Sequence, residues 1–181
     1  MRQPLTAESL HVFMKALAAE ARTSSRIYLV GGASAVLLGW REATIDVDLK
    51  IIPETDEILR SLPRLKEQLH INIELASPDD FIPELPGWQD RSQFIRQEGK
   101  LSFHHYDFYA QALAKTERNF EIDRQDVAQL ISSGLVVPQR LLELFARIEG
   151  ELYRFPQLNR STFRAAVERV IQDAEKKSSS D

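Results

Sequence analysis

The stretch Tyr28-Leu-Val-Gly-Gly-Ala-Ser-Ala-Val-Leu-Leu-Gly-Trp-Arg-Glu-Ala-Thr-Ile-Asp-Val-Asp-Leu-Lys-Ile-Ile52 decides how this chain is read. It runs as an apolar strand, a Gly-Gly pair, a short helix, a turn, and a second strand with two aspartates one residue apart. Alternate residues of a strand share a face. Asp46 and Asp48 therefore point one way, while Val47, Leu49 and Ile51 point the other way into a core. Two carboxylates side by side repel each other. A fold tolerates them most readily around a cation, and hard oxygen ligands favour Mg²⁺. Upstream, Gly31-Gly32 opens a helix, where free backbone N–H groups can take a phosphate. A phosphate-binding turn beside a magnesium-binding strand points to nucleotide chemistry.

Composition sets the frame for that motif. A length of 181 residues allows one domain, or one domain with an appendage, and a hydrophobic share of 43% is that of an ordinary globular chain. With no Cys, disulfides and thiolate metal sites are excluded, which fits a reducing compartment. No apolar run approaches the roughly 20 residues of a membrane span, so no membrane role is expected. The N-terminus lacks the basic-then-apolar order of a signal peptide. The expected location is the cytoplasm. A net charge of -4 argues against broad coating of nucleic acid but leaves room for a local basic groove.

Outside the central stretch, residues 6–22 read as an amphipathic helix with Thr6 as N-cap and Leu10, Phe13, Met14 and Leu17 as its stripe. Residues 26–30 form a strand, 33–38 a short helix, and 44–52 the strand of the aspartates, stopped by Pro53. Residues 54–69 are helical, with Pro63 starting a new turn. From His70 to Ala76 the alternation returns, with Ile71, Ile73 and Leu75 on one face and Asn72 and Glu74 on the other. Residues 77–91 hold three prolines and read as a loop. Residues 94–96 and 100–103, joined across Glu98-Gly99, read as a hairpin. Beyond Asp107 the pattern is all helix, over 108–117, 124–131, 138–148 and 161–175. The expected fold class is α+β: a small mixed β-sheet core flanked by helices over 1–106, a helical C-terminal part over 107–175, and a disordered tail over 176–181.

Gly31-Gly32, a spacer of about a dozen residues and Asp46-x-Asp48 between apolar neighbours resemble the signature of nucleotidyltransferases of the DNA polymerase β type. A third carboxylate on a neighbouring strand acts in that superfamily as general base or metal ligand, and Glu74 is placed to be that residue. Asn72 is the poorer candidate because an amide cannot act as a base. Asp79 and Asp80, after Pro78, read as turn acids. Lys115 and Arg118 are three apart on a helix and share a face, as a pair holding a triphosphate would. Lys115-x-x-Arg118 followed by Asp123-x-x-Asp126 resembles motifs of the abortive-infection (AbiEii-like) toxin nucleotidyltransferases. The resemblance implies phosphate binding by Lys115 and a site role for Asp123 or Asp126, although Ile122 stands where those relatives often carry a basic residue. Asp123 as a helix N-cap, with Asp126 in the first turn, is the competing structural reading.

Arg41 and Thr44 lie in a run that also recurs in the toxin-like relatives, where Arg41 is read as positioning a phosphate or pairing with an acid. Ser34 is read either as a γ-phosphate partner or as a small packing residue. His104 and His105 are adjacent on a strand and face opposite ways, so one packed and one exposed His is expected. What the resemblance implies is an Mg²⁺-dependent enzyme using one or two ions. It would transfer a nucleoside monophosphate from a nucleoside triphosphate to a tRNA 3′ end or a protein, as a toxin opposed by a cognate antitoxin. A small-molecule acceptor and a catalytically inactive nucleotide-binding module are the alternatives. Residues 140–169 carry Arg140, Arg147, Arg154, Arg160, Arg164 and Arg169 among acids, which reads as a mixed-charge face.

Overall fold

The computed structural model describes residues 4–179. The chain divides into two compact units. One holds the chain up to Ser77 and returns for Ser92–Tyr106, and the other holds Pro78–Arg91 and everything from Asp107 onward.

The first unit is a five-stranded mixed sheet with helices. Its strands are β1 (Ser25–Val30), β2 (Asp46–Ile52), β3 (Asn72–Leu75), β4 (Phe94–Glu98) and β5 (Leu101–His105), in the order β3-β2-β1-β5-β4. β2 runs antiparallel to β1, whereas β1 with β5 and β2 with β3 are parallel pairs. β4 and β5 form the expected hairpin, turning at Gly99, whose φ of 51° suits glycine. Helices α1 (Ala7–Glu20), α2 (Gly31–Leu37) and α3 (Asp56–Leu69) complete the unit. Leu29, Val47, Leu49 and Phe103 of the sheet join Phe13 and Leu17 of α1 and Ile58 and Leu62 of α3 in one buried cluster. The alternation in β2 is the one read from the sequence: Val47, Leu49 and Ile51 are buried, and Asp46, Asp48 and Lys50 take the other face, partly exposed.

Two local expectations are revised. α1 keeps its Thr6 cap, whose side chain accepts from the Ser9 amide at 3.3 Å. α3, however, runs unbroken through Pro63. The ring removes one backbone bond, but Pro63 lies on the exposed face, and Ile58, Leu62 and Leu65 are buried on the other. Packing of an amphipathic face outweighs one lost bond. Leu75, expected on the core face with Ile71 and Ile73, is 49% exposed at the end of β3.

The second unit is helical. It contains α4 (Trp88–Arg91), α5 (Phe108–Arg118), α6 (Glu121–Ser132), α7 (Pro138–Ile148) and α8 (Arg160–Ser178), with a 3₁₀ turn over Pro78–Asp80 and another over Glu149–Arg154. The proline-rich stretch is ordered here: Ile82, Leu85 and Trp88 are buried. Asp107 caps α5, accepting from the Tyr109 amide at 3.2 Å and from the Arg91 guanidinium at 2.7 Å. α8 extends through Lys176 and Lys177, which composition placed in a tail; residues 180 and 181 of that tail lie outside the described residues. The arginines of this region are largely paired, Arg140 with Glu143 and Arg154 with Glu151, while Arg160 and Arg164 both reach the buried Glu149. The two guanidiniums hold the Glu149 carboxyl down at about 2.

Candidate active site

The parallel pairing of β2 and β3 sets Asp46 against Asn72 and Asp48 against Glu74. The Asn72 amide Nδ2 donates to Asp46 Oδ1 at 2.8 Å and to Glu74 Oε1 at 2.7 Å. Three carboxylates and one amide therefore share one face of two adjacent strands. Asp48 also lies opposite Val30 on β1, the residue that leads into the Gly-Gly turn.

That turn is fixed by sterics. Gly31 has φ 58°, a left-handed backbone, and a Cβ there would sit 3.5 Å from Asp48 Oδ2. A Cβ on Gly32 would lie 2.2 Å from Thr44 Oγ1 and 2.9 Å from Thr44 Cβ. Thr44 in turn donates to the Asp46 carbonyl at 3.3 Å and bridges Leu5, so it anchors the entry to β2. Arg41 lies over the same turn, its Nη1 3.7 Å from the position a Gly32 Cβ would take. Gly32→Ala is thus an overpacking change. It is expected to lower stability by about 1–3 kcal/mol in denaturant unfolding, and Thr44→Gly in the same chain is expected to recover part of the loss. Equal stability of Gly32→Ala and the wild type contradicts this geometry.

Ser34 is buried one turn into α2. Its Oγ donates to the Leu29 carbonyl at 3.0 Å and stands 2.9 Å from His105 Nδ1. A hydroxyl has one hydrogen, so Nδ1 carries the proton of the second bond and the neutral ring leaves Nε2 as acceptor. Burial, with His104 adding repulsion, pushes the His105 ring from 6.5 down to about 4. The folded chain therefore refuses a proton that the unfolded chain accepts between about pH 4 and 6.5, and stability rises with pH across that window. His105→Gln is expected to flatten this part of the curve of melting temperature against pH; an unchanged slope contradicts the assignment. His104 takes the other face, against Phe94 and Tyr28 and 3.1 Å from Ser102 Oγ. The two rings do not form a metal pair.

In the helical unit, Lys115 Nζ lies 2.7 Å from Asp126 Oδ2 and 3.6 Å from Asp123 Oδ1. Arg118 grips Asp123 with two bonds, at 2.8 and 2.5 Å. Asp123 also accepts from the Phe120 amide at 3.2 Å. It is therefore the third residue of α6 and not its N-cap, because the helix begins three residues earlier than its pattern predicted. Burial raises the Asp123 carboxyl, but Arg118 and Lys115 outweigh it and leave the group below the ordinary range. Lys115 opens onto a cleft of about 830 Å³ walled by α5, α6 and α8, with Arg124, Arg169 and Lys177 also lining it.

A profile of the family described as nucleotidyltransferase of unknown function (DUF6036) matches residues 8–173. The chain belongs to that family. The match covers the Gly-Gly turn, both aspartates, Glu74 and the Lys115 cluster, and it assigns nucleotidyl transfer in general. No curated protein and no solved structure matches the chain.

For this nucleotidyltransferase, the acid face bears on Mg²⁺. Among the described residues, no three His, Cys, Asp or Glu side chains converge on one point. The donor chemistry nonetheless suits the ion: the donors are all oxygens, they come from two strands in register, and a side chain is missing at Gly31 beside Asp48. Sequence reasoning set Asn72 aside. Its role depends on a register between strands 26 residues apart, which no local pattern reveals.

Proposed function

We propose that this nucleotidyltransferase moves a nucleoside monophosphate from a nucleoside triphosphate to a hydroxyl of a macromolecular acceptor, a tRNA 3′ end or a protein. Asp46, Asp48 and Glu74 would hold Mg²⁺. The observation that supports this most is the β2–β3 register, with Asp48 beside Glu74 and Asp46 on the same face. When bound, Mg²⁺ neutralises the triphosphate and makes the attacking hydroxyl more acidic. Glu74 would be the third ligand through Oε2, the oxygen not engaged by Asn72, or the general base that takes the acceptor hydroxyl proton there. The hydroxyl oxygen bonds to the α-phosphorus as the α–β anhydride breaks, and pyrophosphate leaves. The bare backbone at Gly31-Gly32 lets phosphate approach the turn. Arg41 stands over that turn. In the helical unit, Lys115 and Arg118 are assigned to phosphate charge, with Asp126 and Asp123 orienting them.

In the cell such an enzyme would act in phage defence as the toxin of a toxin-antitoxin pair. The test is incubation with Mg²⁺ and each α-labelled nucleoside triphosphate, with total tRNA in one arm and cell lysate in the other. Label in RNA or in protein identifies the acceptor. Label in neither removes the macromolecular acceptor and leaves a small-molecule acceptor or a catalytically inactive nucleotide-binding module.

A further inference from the structure

We propose that Asn72 is a positioning residue that orients Asp46 and Glu74 on the acid face before any ion arrives. This rests on the reading of Asp46, Asp48 and Glu74 given above. Both partners of the amide are carboxylate oxygens, which when ionised can only accept. The nitrogen, and not the oxygen, must therefore face them, and its two hydrogens serve one carboxylate each, at 2.8 and 2.7 Å. The amide is buried at 7% exposure, whereas Glu74 is an exposed side chain. A free Glu loses up to about 2 kcal/mol of rotamer entropy when fixed, and here a rigid, buried donor fixes it beforehand. The same amide draws together two like charges that would otherwise part.

Asp46 and Glu74 each use one oxygen on Asn72 and keep the other for an ion or, at Glu74, for the acceptor proton. Asn72 thus orients ligands without competing for them, as donors behind metal-binding carboxylates do. Only an amide serves here. Asp at this position would add another negative charge between two others, and Leu would offer no donor.

The test is Mn²⁺ titration of the full chain, followed by electron paramagnetic resonance, with Mn²⁺ standing in for Mg²⁺. Asn72→Leu, of similar shape, is expected to bind Mn²⁺ about 10–100-fold more weakly than wild type. The control Asp56→Ala, on an exposed helix end, is expected to bind normally. In a Glu74→Ala background the Asn72→Leu effect is expected to shrink, because one of the two oriented groups is gone. A purely structural Asn72 would give the same loss in both backgrounds. Thermal melts report folding, and Asn72→Ser, which is smaller and cannot reach both carboxylates, replaces Asn72→Leu if the latter does not fold. Affinity of both variants within twofold of wild type, or tighter, overturns the proposal. Wild-type protein that does not bind Mn²⁺ at all overturns the acid-face reading itself, and the proposal with it.

Discussion

Asp48→Asn is expected to lower nucleotidyl transfer by about 10³-fold while leaving the fold intact. The substitution keeps the shape of the side chain and the alternation of β2, so Val47 and Leu49 stay in the core. What it removes is the charge that would bind the ion in the proposed site. Charge stabilisation by a bound metal is worth several kcal/mol in the transition state, and each 1.36 kcal/mol is a factor of ten in rate. Stability should move the other way. Asp48 faces Glu74 across the strands, and like charges directly opposite are destabilising by up to about 1 kcal/mol. The melting temperature of Asp48→Asn is therefore expected to equal or exceed that of wild type. Lost activity with unchanged or raised stability marks a residue kept for chemistry. A variant that loses both marks Asp48 as structural, and a variant that keeps full activity removes it from the site.

Asp123→Ala is expected to destabilise the helical unit by about 3 kcal/mol. The side chain is fully buried and serves Arg118, Lys115 and the Phe120 amide together. Its removal leaves the start of α6 without this partner for Phe120 N–H and takes two bonds from Arg118, while Lys115 keeps Asp126. Arg118 is half exposed and regains water, which holds the cost near the lower end of the range for a broken buried pair. The pH dependence follows from the depressed carboxyl. A group whose folded value lies below its unfolded value, about 3.9 for Asp, gives stability above that value and loses it as pH falls through the folded one. The gap between wild type and Asp123→Ala is therefore expected to be full at pH 7 and to close in acid below about pH 4. Denaturant unfolding at several pH values checks this. A gap under about 0.5 kcal/mol at pH 7, as for an ordinary surface change, contradicts the network.

The parts of the fold that were legible in the sequence are those governed by local period. Strict alternation through Asp46-Val-Asp-Leu-Lys-Ile fixed which side of β2 faces the core, because one strand position changes every face. The stripe of α1 and the hairpin at Gly99 were legible for the same reason. Features decided by packing were not. Pro63 inside α3 defied the local rule because burial of Ile58, Leu62 and Leu65 overrides it. The bond from Ser34 to His105 joins residues 71 apart. Asn72 was set aside as a base, and its two donated bonds exist only once β2 and β3 are in register. Lys115 and Asp126 could be read as neighbours in motif but not as partners in an ion pair, since their helices must first pack.

On the proposed reaction, the α-phosphate of a nucleoside triphosphate is the group transferred. The most direct measurement uses two preparations of the same triphosphate, one labelled on the α-phosphate and one on the γ-phosphate, with the full chain, Mg²⁺ and an acceptor pool of tRNA and lysate. The α-label is expected to enter the acceptor while γ-label leaves as pyrophosphate, and Asp48→Asn is expected to abolish both. Transfer of γ-label to the acceptor, or α-label incorporation that persists in Asp48→Asn, would contradict it.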